Sequence, residues 1–372
     1  MKKDIQNQVL FTPGPVSVSD SILQELSKPI IFHRNEDFKK LYSSLQKKIT
    51  LLLKGDEKHK CIFPSGSGTL AVEMAISSLF DNREDRILIL NNGQFGERWI
   101  EMLTIYKLKY QIVFTEWGSE FNIKEITNTI YSYKPTALIM VGMETSTGMV
   151  NPIHEVGNLC KKNNIIYLLD AVSAFGAENI NIKKDNIDIL ITVPNKAIES
   201  ISGVGIICLS KKIIERKRRV PIKSMYLDIW SHIEFGEKLQ TPSTPSISSL
   251  VALNRALDML IKEKISNRIK RYKLLIKIVE EYAKRLKLRN LIDNKNVRSN
   301  AVTSLIFPKF VDLEKLRIYL RKKRLIIWHK EVNKSHMKNM AQISVMGCIK
   351  NKDLHNLFHQ IESFMKNENT KK

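Results

Sequence analysis

The sequence predicts an α/β fold: a large domain built on a mostly parallel sheet, followed by a smaller α+β domain. Two observations carry this. From residue 60 to about 210, short apolar runs alternate with amphipathic stretches, the βαβ rhythm of a parallel sheet. After about residue 245 the rhythm changes to long helical periodicity with three further strand-like runs.

The runs "RILILNNG" (86–93), "TALIMVGME" (136–144), "IIYLLDAV" (165–172), "DILITV" (188–193) and "GVGIICLS" (203–210) are almost continuously apolar. A strand covered on both faces requires that pattern. Between them, residues 95–109 and 152–164 read as helices, the second with Pro152 at its start. In residues 255–287, apolar positions Ile265, Ile269, Tyr272, Ile276, Val279, Tyr282 and Leu286 recur at three or four. They predict one long amphipathic helix. "AVTSLIFP" (301–308), "RLIIWHKE" (324–331) and "AQISVM" (341–346) predict strands separated by a helix. The expected organisation is an N-terminal segment (1–20), a large domain (21–245) and a small C-terminal domain (246–372).

Composition narrows the function classes. No apolar run approaches the roughly 20 residues needed to cross a bilayer, and the N-terminus lacks the apolar core of a secretory signal. The sequence therefore reads as cytoplasmic, with no membrane partner. The four cysteines, Cys61, Cys160, Cys208 and Cys348, show no CxxC spacing, which argues against zinc or a disulfide framework. The formal net charge is +22, from 60 Lys and Arg spread along the chain. The densest clusters, 211–219 and 321–324, lack interleaved aromatics of the kind that stack nucleic-acid bases. The charge fits the attraction of small anionic substrates better than nucleic-acid binding.

Three places carry chemistry. "CIFPSGSGTLAVEMAISSLF" (61–80) leads from a short apolar piece through Ser65-Gly66-Ser67-Gly68-Thr69 into an amphipathic helix. Glycines admit a ligand close to the backbone, and a helix N-terminus favours an anion. Ser67, Gly68 and Thr69 therefore read as a phosphate cradle or, more plainly, as a capped turn. Asp170 ends a buried run, where a carboxylate is costly without a cationic partner; it could equally cap a turn. Lys196 follows the next buried run. Together, an anion cradle, a strand-end carboxylate and a strand-end amine fit pyridoxal 5′-phosphate, whose phosphate, ring nitrogen and aldehyde need those three groups.

In chain order, "FTPGP", "SGSGT", "NNGQFGER", "ETSTGMVNPI", "DAVSAFGA", "PNKAIESISGVGI" and "TPSTP" resemble the class V aminotransferases of the pyridoxal-phosphate-dependent fold type I. Among these the chain is most similar to the 2-aminoethylphosphonate–pyruvate transaminases, with the serine/alanine–glyoxylate transaminases next. The resemblance implies an amine donor and a keto-acid acceptor, and a homodimer with shared sites. It implies Lys196 as the Schiff-base lysine, and Ser67, Gly68, Thr69 and Asn195 around the phosphate. Phe95 and Val172 would flank the pyridoxal ring, Thr145 would lie near its hydroxyl and Asp170 at its nitrogen. Thr241 would reach the phosphate of the neighbouring subunit, and Pro13 and Gly14 would line the substrate entrance. One departure stands out. Where the family carries an arginine for the substrate's anionic group, "NMAQISVMGCI" (339–349) places Gln342. A neutral amide cannot form the charge-assisted fork that arginine provides. Arg34, His329 and Lys330 are the candidate replacements.

Overall fold

The computed structural model describes residues 8–216, 218–329 and 337–369. The N-terminal third contains β1 (Val9–Phe11), α1 (Glu36–Leu52), β2 (Lys60–Ile62), α2 (Gly68–Leu79), β3 (Arg86–Asn91), α3 (Gln94–Ile105) and β4 (Lys109–Phe114). Then follow α4 (Ile123–Tyr133), β5 (Ala137–Val141), α5 (Ile153–Lys162), β6 (Ile166–Asp170), β7 (Ile189–Thr192), β8 (Ile206–Leu209) and α6 (Ile229–Glu237). The C-terminal part contains α7 (Ile247–Glu263), α8 (Ile265–Arg285), β9 (Arg289–Asn290) and β10 (Val302–Ile306). It ends with α9 (Leu313–Lys322), β11 (Leu325–His329), β12 (Met340–Ser344) and α10 (Asn351–Asn369).

A seven-stranded sheet has the order β2-β8-β7-β6-β5-β3-β4. From β7 to β4 all neighbours are parallel, whereas β8 runs antiparallel to both β7 and β2. Its central strands are almost continuously apolar for the expected reason. Successive side chains feed opposite faces, and both faces are covered. Ile166 and Leu168 enter one core cluster while Tyr167 and Leu169 enter the other. Ile87 and Ile89 divide from Leu88 and Leu90 in the same way.

A second, five-stranded sheet has the order β1-β11-β12-β10-β9. Its first strand comes from the chain's N-terminus, with Val9–Phe11 parallel to Leu325–Ile327. The N-terminal segment therefore ties the small sheet to the region of the large one that Gly14 reaches. Glu178, at the large sheet, adds a second tie by accepting from Asn300 N (2.9 Å) and Ser299 Oγ (3.1 Å).

Two expectations are corrected. The single helix over 255–287 is two helices, α7 and α8, broken at Lys264, whose φ is +70°. A lysine pays a steric cost in that region, yet α7 packs on α1 while α8 packs on α10. Different partners force a turn that the continuous apolar spacing concealed. The helix expected over 95–109 ends at Ile105, and Lys109–Phe114 forms β4. This strand pairs only with β3 at the sheet edge, and of its residues only Val113 is fully buried. Its apolar signature is correspondingly weak.

Candidate active site

Because β3, β5, β6 and β7 are parallel, their carboxyl ends lie on one side of the sheet, where ligands of open α/β sheets bind. The segments leaving those ends carry the sequence motifs. They converge on a cavity of about 270 Å³ lined by Gly14, Gly68, Thr69, Phe95, Arg98 and Trp99, and also by Asp170, Val172, Asn195 and Lys196.

The helix start at α2 forms one wall. Ser67 is its N-cap and accepts from Leu70 N at 3.4 Å. Gly68 and Thr69 follow in the first turn, where backbone N–H groups have no intrahelical acceptor. A Cβ on Gly68 would lie 2.9 Å from Val193 Cγ1 and 3.5 Å from Val172 Cγ2. Only glycine lets the helix end approach the carboxyl ends of the strands this closely.

The opposite wall is α3, whose start is held by Glu144. Phe95 N and Gly96 N donate to Glu144 Oε2 at 3.1 and 3.3 Å, and Ser146 N donates to Oε1 at 3.0 Å. Burial pushes the Glu144 carboxyl up to about 7, although these hydrogen bonds oppose the shift. A Cβ on Gly93 would collide with Glu144. From this fixed start, Phe95, Arg98 and Trp99 share one face of α3 by their spacing of three and four. Trp99 Nε1 donates to Asp170 Oδ2 at 2.9 Å, and Val172 N donates to Oδ1 at 3.0 Å.

Asp170 and Lys196 share the cavity without a direct ion pair among the described residues. Burial raises the Asp170 carboxyl above its ordinary range. Burial also lowers the Lys196 amine to about 8; Asp170 opposes that shift and Arg98 assists it. An amine at that value has a substantial neutral fraction near neutral pH, as a nucleophile and proton carrier requires. Gly14 lies directly against it: a Cβ there would be 2.6 Å from both Cε and Nζ of Lys196.

Other predicted residues stand apart from the cavity lining. The Thr145 hydroxyl donates to Ser173 Oγ. Thr241 is buried and donates to Ser243 O at 2.8 Å. Pro13 is buried beside Gly14 without lining the cavity. Gln342 is 2% exposed and turns its amide to Thr145 O and to Ser304 Oγ, the latter at 3.1 Å.

None of the described candidate replacement cations lines the cavity. Arg34 is committed to Gln240 Oε1 (3.0 Å), Thr241 O (2.8 Å) and Pro242 O (3.2 Å). His329 pairs through Nδ1 with Met340 O at 2.9 Å, and Lys330 lies outside the described residues. Besides Lys196, the cavity lining holds one further cation among the described residues, Arg98, which the sequence reading passed over. Its guanidinium sits 5.0 Å from the Phe95 ring centroid and has no ion pair or hydrogen bond among the described residues. The signal was present in "NNGQFGER", where Arg98 falls one helical turn after Phe95.

The sequence pattern of the aminotransferase class-V family matches residues 20–342. The chain is a class-V aminotransferase. It is 33% identical over 332 residues to an uncharacterized aminotransferase of Methanocaldococcus jannaschii, covering 88% of this chain and 85% of the relative. A 2-aminoethylphosphonate–pyruvate transaminase of Lysinibacillus sphaericus is 26% identical over 97% of this chain and 98% of its own. A serine–glyoxylate aminotransferase of Arabidopsis thaliana is 26% identical over 91% and 88%. Among solved structures, a ureidoglycine–glyoxylate aminotransferase from Bacillus subtilis superposes with a TM-score of 0.90 at 22% identity. That match covers 98% of this chain and 94% of the other.

Class-V aminotransferases depend on pyridoxal phosphate and use amine donors with keto-acid acceptors. The residues of this aminotransferase fit that cofactor. Gly68 keeps the helix end open where a side chain would fill it. Asp170 is a buried carboxylate with neutral N–H donors and, among the described residues, no cation bound to it. Lys196 presents an amine that is unpaired among the described residues in the same cavity. Among the described residues, no helix is long and apolar enough to cross a membrane.

Proposed function

We propose that this aminotransferase moves the amino group of 2-aminoethylphosphonate, or a similar small anionic amine, to pyruvate, giving phosphonoacetaldehyde and alanine. The observation that carries the reading is the cavity's charge. Besides Lys196, the lining cation is Arg98, whose guanidinium is free to receive the donor's anionic group. The phosphonate relative, matched over nearly its whole length, supports the same donor class.

Bound pyridoxal phosphate supplies the electron sink for transamination. Lys196 carries the cofactor between turnovers, and its Nζ takes the proton from the donor's amine-bearing carbon. Asp170 would hold the cofactor's ring nitrogen in its protonated form, its carboxylate being fixed by Trp99 and Val172 N. Ser67, Gly68, Thr69 and Asn195 would hold the phosphate, Phe95 and Val172 would flank the ring, and Thr145 would serve its hydroxyl. Pro13 and Gly14 border the entrance. In a homodimer with shared sites, Thr241 serves the neighbouring subunit, and Arg34 shapes that loop rather than binding substrate. Gln342 contributes alignment of Thr145 instead of charge.

A glyoxylate-type transaminase is the second reading, favoured by the equal identity of the serine–glyoxylate relative. One experiment separates the two. The enzyme, loaded with pyridoxal phosphate, is titrated with 2-aminoethylphosphonate in the absence of keto acid, and the visible absorption band of the cofactor is followed. Loss of the band, restored by pyruvate, supports the phosphonate reading. A band that ignores this amine but responds to serine or alanine, and is restored by glyoxylate, replaces it.

A further inference from the structure

A larger cavity than that at Lys196 lies elsewhere. It measures about 790 Å³ and lies between α7, the first turns of α8 and the segment 348–350 that leads into α10. It shares no lining residue with the Lys196 cavity. Its volume falls in the range of small-molecule sites, about 300–1,000 Å³.

The three carboxylates in its wall are already satisfied. Glu263 accepts from Arg268 Nε (2.7 Å) and Arg271 Nε (2.9 Å). Glu199 accepts from Arg271 NH2 (2.9 Å) and Gly347 N (3.1 Å), and also from Tyr272 OH. Asp258 pairs with Lys48 at 2.6 Å. Three lining cations remain without an ion pair or side-chain hydrogen bond among the described residues: Arg255, Lys262 and Lys350. Arg255 and Lys262 lie two helical turns apart on one face of α7, so both address the same space. Lys350 joins them in the lining from the residue before α10. Met259 and Ile349 give the wall an apolar portion.

We propose that this cleft is a second binding site, specific for a small organic polyanion with two or more carboxylate or phosphate groups on a short frame. Free guanidinium and ammonium groups supply the charge-assisted hydrogen bonds such a ligand needs. The satisfied carboxylates do not repel it as bare charges would, because each is already neutralised by a cation.

The test is calorimetric titration of the cofactor-loaded enzyme with citrate and, separately, with inorganic pyrophosphate. At least one should bind with a Kd below about 1 mM, more weakly as salt is raised. The Arg255→Ala/Lys262→Ala double variant should weaken binding by at least about tenfold. Removing the same charge from exposed Lys109 and Lys124 should leave it unchanged. Preference for citrate identifies a carboxylate ligand, and preference for pyrophosphate a phosphorylated one. Retained visible absorption verifies that each variant is folded. Equal weakening in both double variants would reduce the effect to diffuse surface charge and overturn the proposal. So would the absence of binding by either anion at about 1 mM. Neither result bears on the amine titration at Lys196.

Discussion

Replacing Gly14 by alanine adds one methyl group against Lys196. The new Cβ would stand 2.6 Å from Cε and Nζ and 2.7 Å from Cδ, whereas ordinary contacts between carbon atoms are about 3.5–4.0 Å. The overlap is therefore about 1 Å. Gly14 also has φ +148°, a conformation that L side chains rarely adopt, and such strain costs about 1–3 kcal/mol. The colliding atoms are the far end of a flexible chain, so the lysine swings aside while the backbone holds. Stability should fall only by that backbone amount. Displacing a reacting group by about 1 Å should lower kcat by about 100-fold. Gly118→Ala is the control, since Gly118 has φ +85° and a Cβ there would meet Ile292 at 3.2 Å, away from Lys196. It should lose comparable stability and keep its turnover. Thermal unfolding and steady-state transamination measure both. Wild-type kcat in Gly14→Ala, or equal kcat losses in the two variants, would refute the contact between residue 14 and the lysine.

Arg98→Met removes a cation that helps lower the Lys196 amine, so that amine should rise above about 8. The rise is modest because burial is the larger cause, and the pH midpoint of cofactor uptake by the apoenzyme reads it. The same variant should raise KM for the anionic donor by about 10- to 100-fold, the worth of a hydrogen bond to a charged group; an unchanged KM would remove Arg98 from substrate binding. Burial pushes Glu178 up to about 7 from 4.5. Between those values the folded protein holds a proton that the unfolded chain releases. Stability should therefore fall as pH rises through that window, by up to about 3 kcal/mol for this group, and level off above it. Urea unfolding across the window should show the slope, and Glu178→Gln should reduce it by this group's share, leaving the share of Glu144, which burial also pushes up to about 7.

Much of the fold was legible because burial on both faces of a sheet leaves an apolar signature in each strand. The runs at 137–141, 166–170 and 189–192 are fully buried strands. β4 was illegible for the converse reason: an edge strand buries little and imposes little on its sequence. The break at Lys264 left no mark because the apolar spacing of the two flanking helices continues across it.

At the site, the sequence alone determined which groups stand at strand and helix ends: Gly68 and Thr69, Asp170, Asn195 and Lys196. Those placements follow from local periodicity, since a polar residue that ends a buried run must emerge where the strand does. Only the tertiary structure decided what each group meets. It set Gly14 against Lys196, Glu144 beneath the start of α3 and Arg98 into the cavity. It also turned Gln342 toward Thr145 and committed Arg34 to the 240–242 loop. Each of these is a contact between segments 48 to 208 residues apart or an orientation set by a neighbouring element, and nothing in the local pattern of either segment encodes the other.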